Sequence, residues 1–168
     1  MMGLLLVTLS AFLIVTAYRP LDEHVSNDMI SRFKVCLSKN PLIENDVELI
    51  DSGENLNNLS ESGRCWEECM YTQWNIFQDG KLNKTAIDEL VDIIYDDESE
   101  NEEAKEAYSS CIKAIGEVAK GDGCEFIRTL SDCLHNKNKY VKPWSILLGR
   151  CVVYKNCPFN QWLRVIIK

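Results

Sequence analysis

Basic residues are scarce. Lysine and arginine total 18 against 26 acids, and the formal charge is −8. Nucleic acid needs a basic surface to displace counterions from its phosphates, so it is excluded as a partner. An anionic membrane surface is disfavoured for the same reason. Histidine is scarcer still, with His24 and His135 alone. Two imidazoles are too few for most acid–base schemes, and no Gly-x-Ser-x-Gly elbow, phosphate loop or His-Glu-x-x-His pattern occurs. Asp88 with Asp92, and Glu67 with Glu68, form carboxylate pairs, but on so acidic a chain they read as solvated side chains. The expectation is a protein that is not an enzyme and uses no cofactor.

Other absences narrow the class further. There is no Cys-x-x-Cys, and neither histidine is near a cysteine pair, so no metal site is expected. Asp96 to Glu106 holds seven acids, but it lacks the ligand spacing and mid-loop glycine of an EF-hand. It reads as a solvated linker whose later acids favour the positive end of the following helix. No strand-like alternation joined by hairpin turns is evident. The one long apolar run, Leu4 to Val15, is shorter than a bilayer-spanning helix needs. It ends in Val15-Thr16-Ala17, small residues of the kind read by signal peptidase, although Met1-Met2-Gly3 carries no Lys or Arg. Residues 1–17 read as a secretory signal cleaved before Tyr18, with an uncleaved anchor as the alternative.

What is present is cysteine. All eight follow the signal: Cys36, Cys65, Cys69, Cys111, Cys124, Cys133, Cys151 and Cys157. An even number in a secreted chain implies a disulfide framework, with 105 pairings open. Asn58-Leu59-Ser60 and Asn83-Lys84-Thr85 are glycosylation sequons, which fit the secretory route. The chain is organised around Arg64-Cys65-Trp66-Glu67-Glu68-Cys69-Met70. Cysteines four apart on a helix lie one turn apart on nearly one face, poorly placed to bond each other and free to reach two different neighbours.

Helical stripes account for most of the rest. Pro20 to Ser38 is the first, with Val25, Met29, Phe33, Cys36 and Leu37 on one face and Pro41 beyond its end. Asn45 to Asp51 is a short helix with Val47 and Ile50 inward, followed by a loop over residues 52–62. Ser62 to Asp79 is the central helix, striped by Trp66, Cys69, Met70, Gln73 and Phe77 and stopped by Asp79-Gly80. Asn83 caps a helix burying Ile87, Leu90, Val91 and Ile94. Ala104 to Lys120 turns Ala107, Tyr108, Cys111, Ile112, Ile115 and Val118 inward, and Gly121-Asp122-Gly123 breaks it. Cys124 to His135 carries Phe126, Ile127, Leu130 and Leu134. A seventh stripe, Trp144, Leu147, Leu148, Cys151 and Val152, follows Pro143. The predicted architecture is all-α, with six or seven disulfide-stapled helices in one domain over residues 18–168.

The first six cysteines follow C-x28-C-x3-C-x41-C-x12-C-x8-C. This pattern resembles the insect odorant-binding proteins, the pheromone and general odorant-binding family, over roughly residues 21–135. The resemblance implies the interlocked pairing Cys36–Cys69, Cys65–Cys124 and Cys111–Cys133. It implies helices around an internal apolar cavity, secretion, a small hydrophobic ligand such as an odorant or pheromone, and a chemosensory receptor as a further partner. The lining expected on that basis is Met29, Phe33, Trp74, Phe77, Leu90, Ile94, Tyr108, Ile112, Phe126 and Leu130, with the Tyr108 hydroxyl free to bond an alcohol or carbonyl.

The same resemblance supplies an alternative, because salivary relatives in blood-feeding insects scavenge biogenic amines, which require buried carboxylates; lipid mediators are a further cargo of that kind. A structural or signalling role is the third reading. About 35 residues follow Cys133. Leu134 stands where some family members carry proline, so the extension is not assigned to that subgroup. Cys151 and Cys157 are expected to pair and fold the apolar tail back as a lid on the cavity. Added core or a homodimer contact are the other uses of that surface.

Overall fold

The computed structural model describes residues 23–52 and 58–137, and their side chains from residue 27 onward except at 51 and 52. The expected signal peptide, the Cys151–Cys157 bridge and the tail lid lie outside the described residues. Among the described residues six helices and one small hairpin are present: α1 (Glu23–Lys39), α2 (Glu44–Ser52), α3 (Glu61–Gln73), β1 (Phe77–Gln78), β2 (Lys81–Leu82), α4 (Lys84–Ile94), α5 (Glu98–Ile115) and α6 (Gly123–Lys137). No helix among the described residues is long and apolar enough to cross a membrane.

α3 is the hub. It packs on α1 and α6, while α5 packs on α4 and α6. Three disulfides fix this arrangement: Cys36–Cys69 ties α1 to α3, Cys65–Cys124 ties α3 to α6, and Cys111–Cys133 ties α5 to α6. These are the pairs implied by the cysteine spacing's family resemblance. Each of the two cysteines one turn apart on α3 reaches a different helix, so α3 is held from two sides. Its buried residues, Gly63, Trp66, Glu67, Cys69, Met70 and Tyr71, run around much of its circumference. Met29, Phe33, Ile87, Leu90, Ile94, Ile127, Leu130 and Leu134 complete the core from the surrounding helices.

The local chemistry sets the helix ends. Ser60 caps α3 by accepting from the Gly63 amide, Asn83 caps α4 by accepting from Ala86, and Asp97 caps α5 by accepting from Glu100. Each satisfies an amide that has no partner within its helix. Asp46 of α2 is fully buried against the α3 start. Its carboxylate accepts from the Ser60 amide at 2.7 Å, the Ser60 hydroxyl at 2.6 Å and the Ile43 amide at 3.1 Å. A negative group is favoured there, at the positive end of α3. Gly63 leaves it room: a Cβ at that position would lie 2.9 Å from the Asp46 Cγ.

Several elements differ from the sequence expectation. The central helix ends at Gln73, not at Asp79, and Phe77 sits on a strand. Asn75 takes φ 57°, the left-handed conformation that asparagine tolerates at a helix end. Asp79 and Gly80 have φ 49° and 74°, so they form a two-residue hairpin turn of the I′ type instead of a simple stop. Phe77 pairs with Leu82 and Gln78 with Lys81; Phe77 and Leu82 are buried and the other two are exposed.

The acidic stretch is also less of a linker than expected. α5 begins at Glu98, which puts most of those acids on helix, with Glu98 and Glu100 in its first turn. α5 stops at Gly116, whose φ of 92° suits glycine. The chain then runs beside the hairpin, with Leu82 donating to the Glu117 carbonyl and Ala119 to that of Gly80. Val118, expected inward, is 55% exposed there because it has left the helix.

Candidate functional site

Two regions compete as a binding site. One is an open groove of about 920 Å³. Its walls are the hairpin (Gln78, Asp79, Lys81, Leu82), the start of α4 (Asn83, Lys84) and the end of α5 with the residues after it (Ser109, Ile112, Lys113, Gly116, Glu117). Of the ten residues expected to line a cavity, Ile112 alone borders this groove. Lys84 is already bound to Asp88 at 2.8 Å. The sequon residue Asn83 stands at the groove with its side chain exposed, as does Asn58 elsewhere on the surface.

The other region is the interior. Met29, Phe33, Phe77, Leu90, Ile94, Tyr108, Ile112 and Leu130 are buried in one cluster, and Trp74 and Phe126 are partly buried against it. Several aromatic rings make ordered contacts here. Phe33 meets Trp66 edge-on with centroids 5.0 Å apart, and Phe77 stacks on Phe126 at 5.6 Å. The Arg32 guanidinium lies over Trp74 at 5.1 Å. Arg32 also donates to the Gln73 carbonyl at the end of α3, where a cation offsets the negative end of the helix. The Trp74 indole nitrogen is buried and has no hydrogen-bond partner among the described residues.

The interior is not wholly apolar. Glu67, expected to be solvated, is 3% exposed. The Ser131 hydroxyl of α6 donates to its carboxyl oxygen at 2.6 Å. The Tyr71 hydroxyl also bonds Ser131 and lies 3.3 Å from that of Tyr108 on α5. Four oxygens from three helices therefore form a buried chain: Glu67, Ser131, Tyr71, Tyr108. Burial is the main reason both phenols are held well above their ordinary range, so both are neutral at physiological pH. Partner Glu68, on the next position of α3, is only half-buried near Asp122. Burial, then repulsion from Asp122, raises its carboxyl above the usual range, while Thr72 and Lys39 act the other way.

Sequence reasoning named Tyr108 but missed Glu67, Tyr71 and Ser131. The available signal was the pair of cysteines on α3. A helix bonded to neighbours on two sides keeps little surface for solvent, so the residue beside the apolar stripe is inside too. Glu67 and Tyr71 are one turn apart and occupy that flank together.

Among the described residues no cluster of His, Cys, Asp and Glu is arranged to hold a metal ion. The interior combines apolar contacts with a polar end. No significant match to the chain was found among curated proteins or solved structures. The family model for the PBP/GOBP family matches residues 19–137. With the six-cysteine helical framework and the interlocked disulfides, that match shows that the chain belongs to the PBP/GOBP family, the insect pheromone- and odorant-binding proteins.

Proposed function

We propose that this protein is a secreted carrier that holds one small hydrophobic molecule, an odorant, pheromone or similar semiochemical, among its helices. The family membership carries this reading. The disulfides support it physically. Three crosslinks between helices restrict the unfolded chain, so the domain can give up some core packing to a ligand and stay folded. The lining proposed is Met29, Phe33, Trp74, Phe77, Leu90, Ile94, Tyr108, Ile112, Phe126 and Leu130, and release to a chemosensory receptor would follow.

The test is displacement of an apolar environment-sensitive fluorophore by long-chain alcohols, esters and ketones. Saturable displacement at one site per chain is expected. A fluorophore that never binds, or that no apolar competitor displaces, refutes the carrier reading.

The burial of Glu67 favours a second reading, capture of a biogenic amine. An amine needs an internal carboxylate, and Glu67 lies in the core beside three hydroxyls. Competition by serotonin-like amines alone would select this reading over the first.

A further inference from the structure

The charge of the chain is unevenly divided. From Lys137 to Lys168 it carries seven Lys and Arg and not one Asp or Glu. All 26 acids lie before this segment, against eleven bases. They are densest on two helices. Over residues 84–115, which span α4 and α5, ten acids stand against three bases. Lys84 pairs with Asp88 at 2.8 Å and Lys105 with Asp92 at 2.7 Å. That leaves eight acids and Lys113 in the charge count of the pair.

Part of this charge forms a stripe. Ala104, Ala107, Tyr108, Cys111 and Ile112 are the buried side of α5. Glu98, Glu102 and Glu106 recur every fourth residue on the opposite side, all exposed. Like charges at that spacing oppose the helix that carries them, so a cationic neighbour relieves the stripe. The basic segment is tethered beside it. The Cys111–Cys133 bridge holds α6 to α5 with Cα atoms 5.7 Å apart, and α6 ends one turn later at Lys137. Glu106 precedes Cys111 by about 7.5 Å along the helix axis. The 31 residues after Lys137 lie outside the described residues. At about 3.3 Å per extended residue they reach well past both ends of α5. Tethering raises the local concentration, so even weak ion pairs suffice to hold such a segment.

We propose that the C-terminal segment, residues 138–168, docks through its Lys and Arg side chains on the outer face of α5 at Glu98, Glu102 and Glu106. Charge complementarity and the tether at Cys111–Cys133 carry this assignment. The face lies opposite the core, so the segment is a strap on the outside of the bundle in place of a lid on its interior. The inference stands apart from the carrier reading and needs no ligand.

The experiment is hydrogen exchange of the full secreted chain, read by mass spectrometry on peptides from residues 138–168. In E98Q/E102Q/E106Q three exposed ion pairs are lost, and exchange in these peptides should rise roughly tenfold. Sodium chloride at about 1 M, where the screening length falls to about 3 Å, should raise it in the wild type as well. The reciprocal variant K139Q/K142Q/R150Q should show the same rise. Glutamine forms helix as readily as glutamate, so melting curves should show every variant folded. Peptides from α3 and α6 should exchange as in the wild type, whereas a general loosening of the fold would quicken them too.

Exchange over residues 138–168 that is equally fast in the wild type and in folded E98Q/E102Q/E106Q overturns the inference and leaves the acidic face to a separate cationic partner. Quickening of α3 and α6 together with the tail also overturns it. Sedimentation identifies the copy that is bound: a wild-type dimer that the glutamate variant turns into monomer would place the segment on a second chain and overturn docking within one. None of these results bears on the carrier reading, which the fluorophore displacement tests separately.

Discussion

Replacing Gly63 by alanine should destabilise this protein, although alanine is the better helix former. The substitution falls inside α3, where glycine to alanine ordinarily gains about 1 kcal/mol. Here the new Cβ would sit 2.9 Å from the Asp46 Cγ and 3.0 Å from each carboxylate oxygen. Real Cβ atoms do not approach so closely, so the carboxylate must move. It is fully buried and fixed by two donors from Ser60 and one from Ile43.

Hydrogen bonds to a charged group contribute about 1.5 to 3 kcal/mol each. Loss of two of the three costs about 3 to 6 kcal/mol, and the propensity gain leaves a net loss of about 2 to 5 kcal/mol. For a chain of this size the melting temperature should fall by roughly 10 °C. Denaturant titration of wild type, G63A, D46A and the double variant measures the coupling. With Asp46 already truncated, G63A should lose most of its penalty. If G63A alone stabilises the protein, Asp46 does not close over Gly63 and the account of this junction is wrong.

Three further outcomes can be checked. Burial, with Asp122 adding repulsion, holds the Glu68 proton more tightly in the folded state than in the unfolded chain. Stability therefore falls as pH rises from the ordinary carboxylate value through the raised one, and E68Q should melt higher than wild type at pH 7 with no advantage below about pH 4; a lower melting point at pH 7 refutes this. Sequence separations of 59, 33 and 22 predict that paired serine substitution costs most at Cys65–Cys124, about 4 kcal/mol, and least at Cys111–Cys133; denaturation midpoints in the opposite order would overturn the ranking. N83A should lose about 1 kcal/mol with the α4 cap, whereas T85A breaks the same sequon and keeps it; melting curves and intact masses from a secretory host compare the two, and a shared mass decrease would mark Asn83 as glycosylated.

The sequence by itself determined the helical class and the order of most helices. Leu90, Val91 and Ile94 on α4, and Phe126, Leu130 and Leu134 on α6, recur at 3.6-residue spacing, which only a helix can gather on one face. Asn83 announced its cap because its side-chain oxygen reaches an amide three residues away. The six-cysteine spacing carried the family, and with it the pairing the structure contains.

Other features were not legible locally. Asp-Gly after a helical stripe is compatible with a stop or a turn. The hairpin is decided by pairing of Phe77 with Leu82 and by the chain that returns at Glu117 to bond it. The acids from Glu98 onward favour a helix start and a solvated linker alike, and contact of α5 with α4 and α6 decides between them.

The polar end of the interior is the clearest case of tertiary decision. Glu67 and Glu68 are adjacent acids of one chemistry. Glu67 is buried because α3 is clamped between α1 and α6, which brings Ser131 from 64 residues away to meet it. Tyr71 and Tyr108 are 37 residues apart and touch for the same reason. Local pattern fixes which face of a helix is apolar. Only the packing of three helices decides which polar groups share the inside.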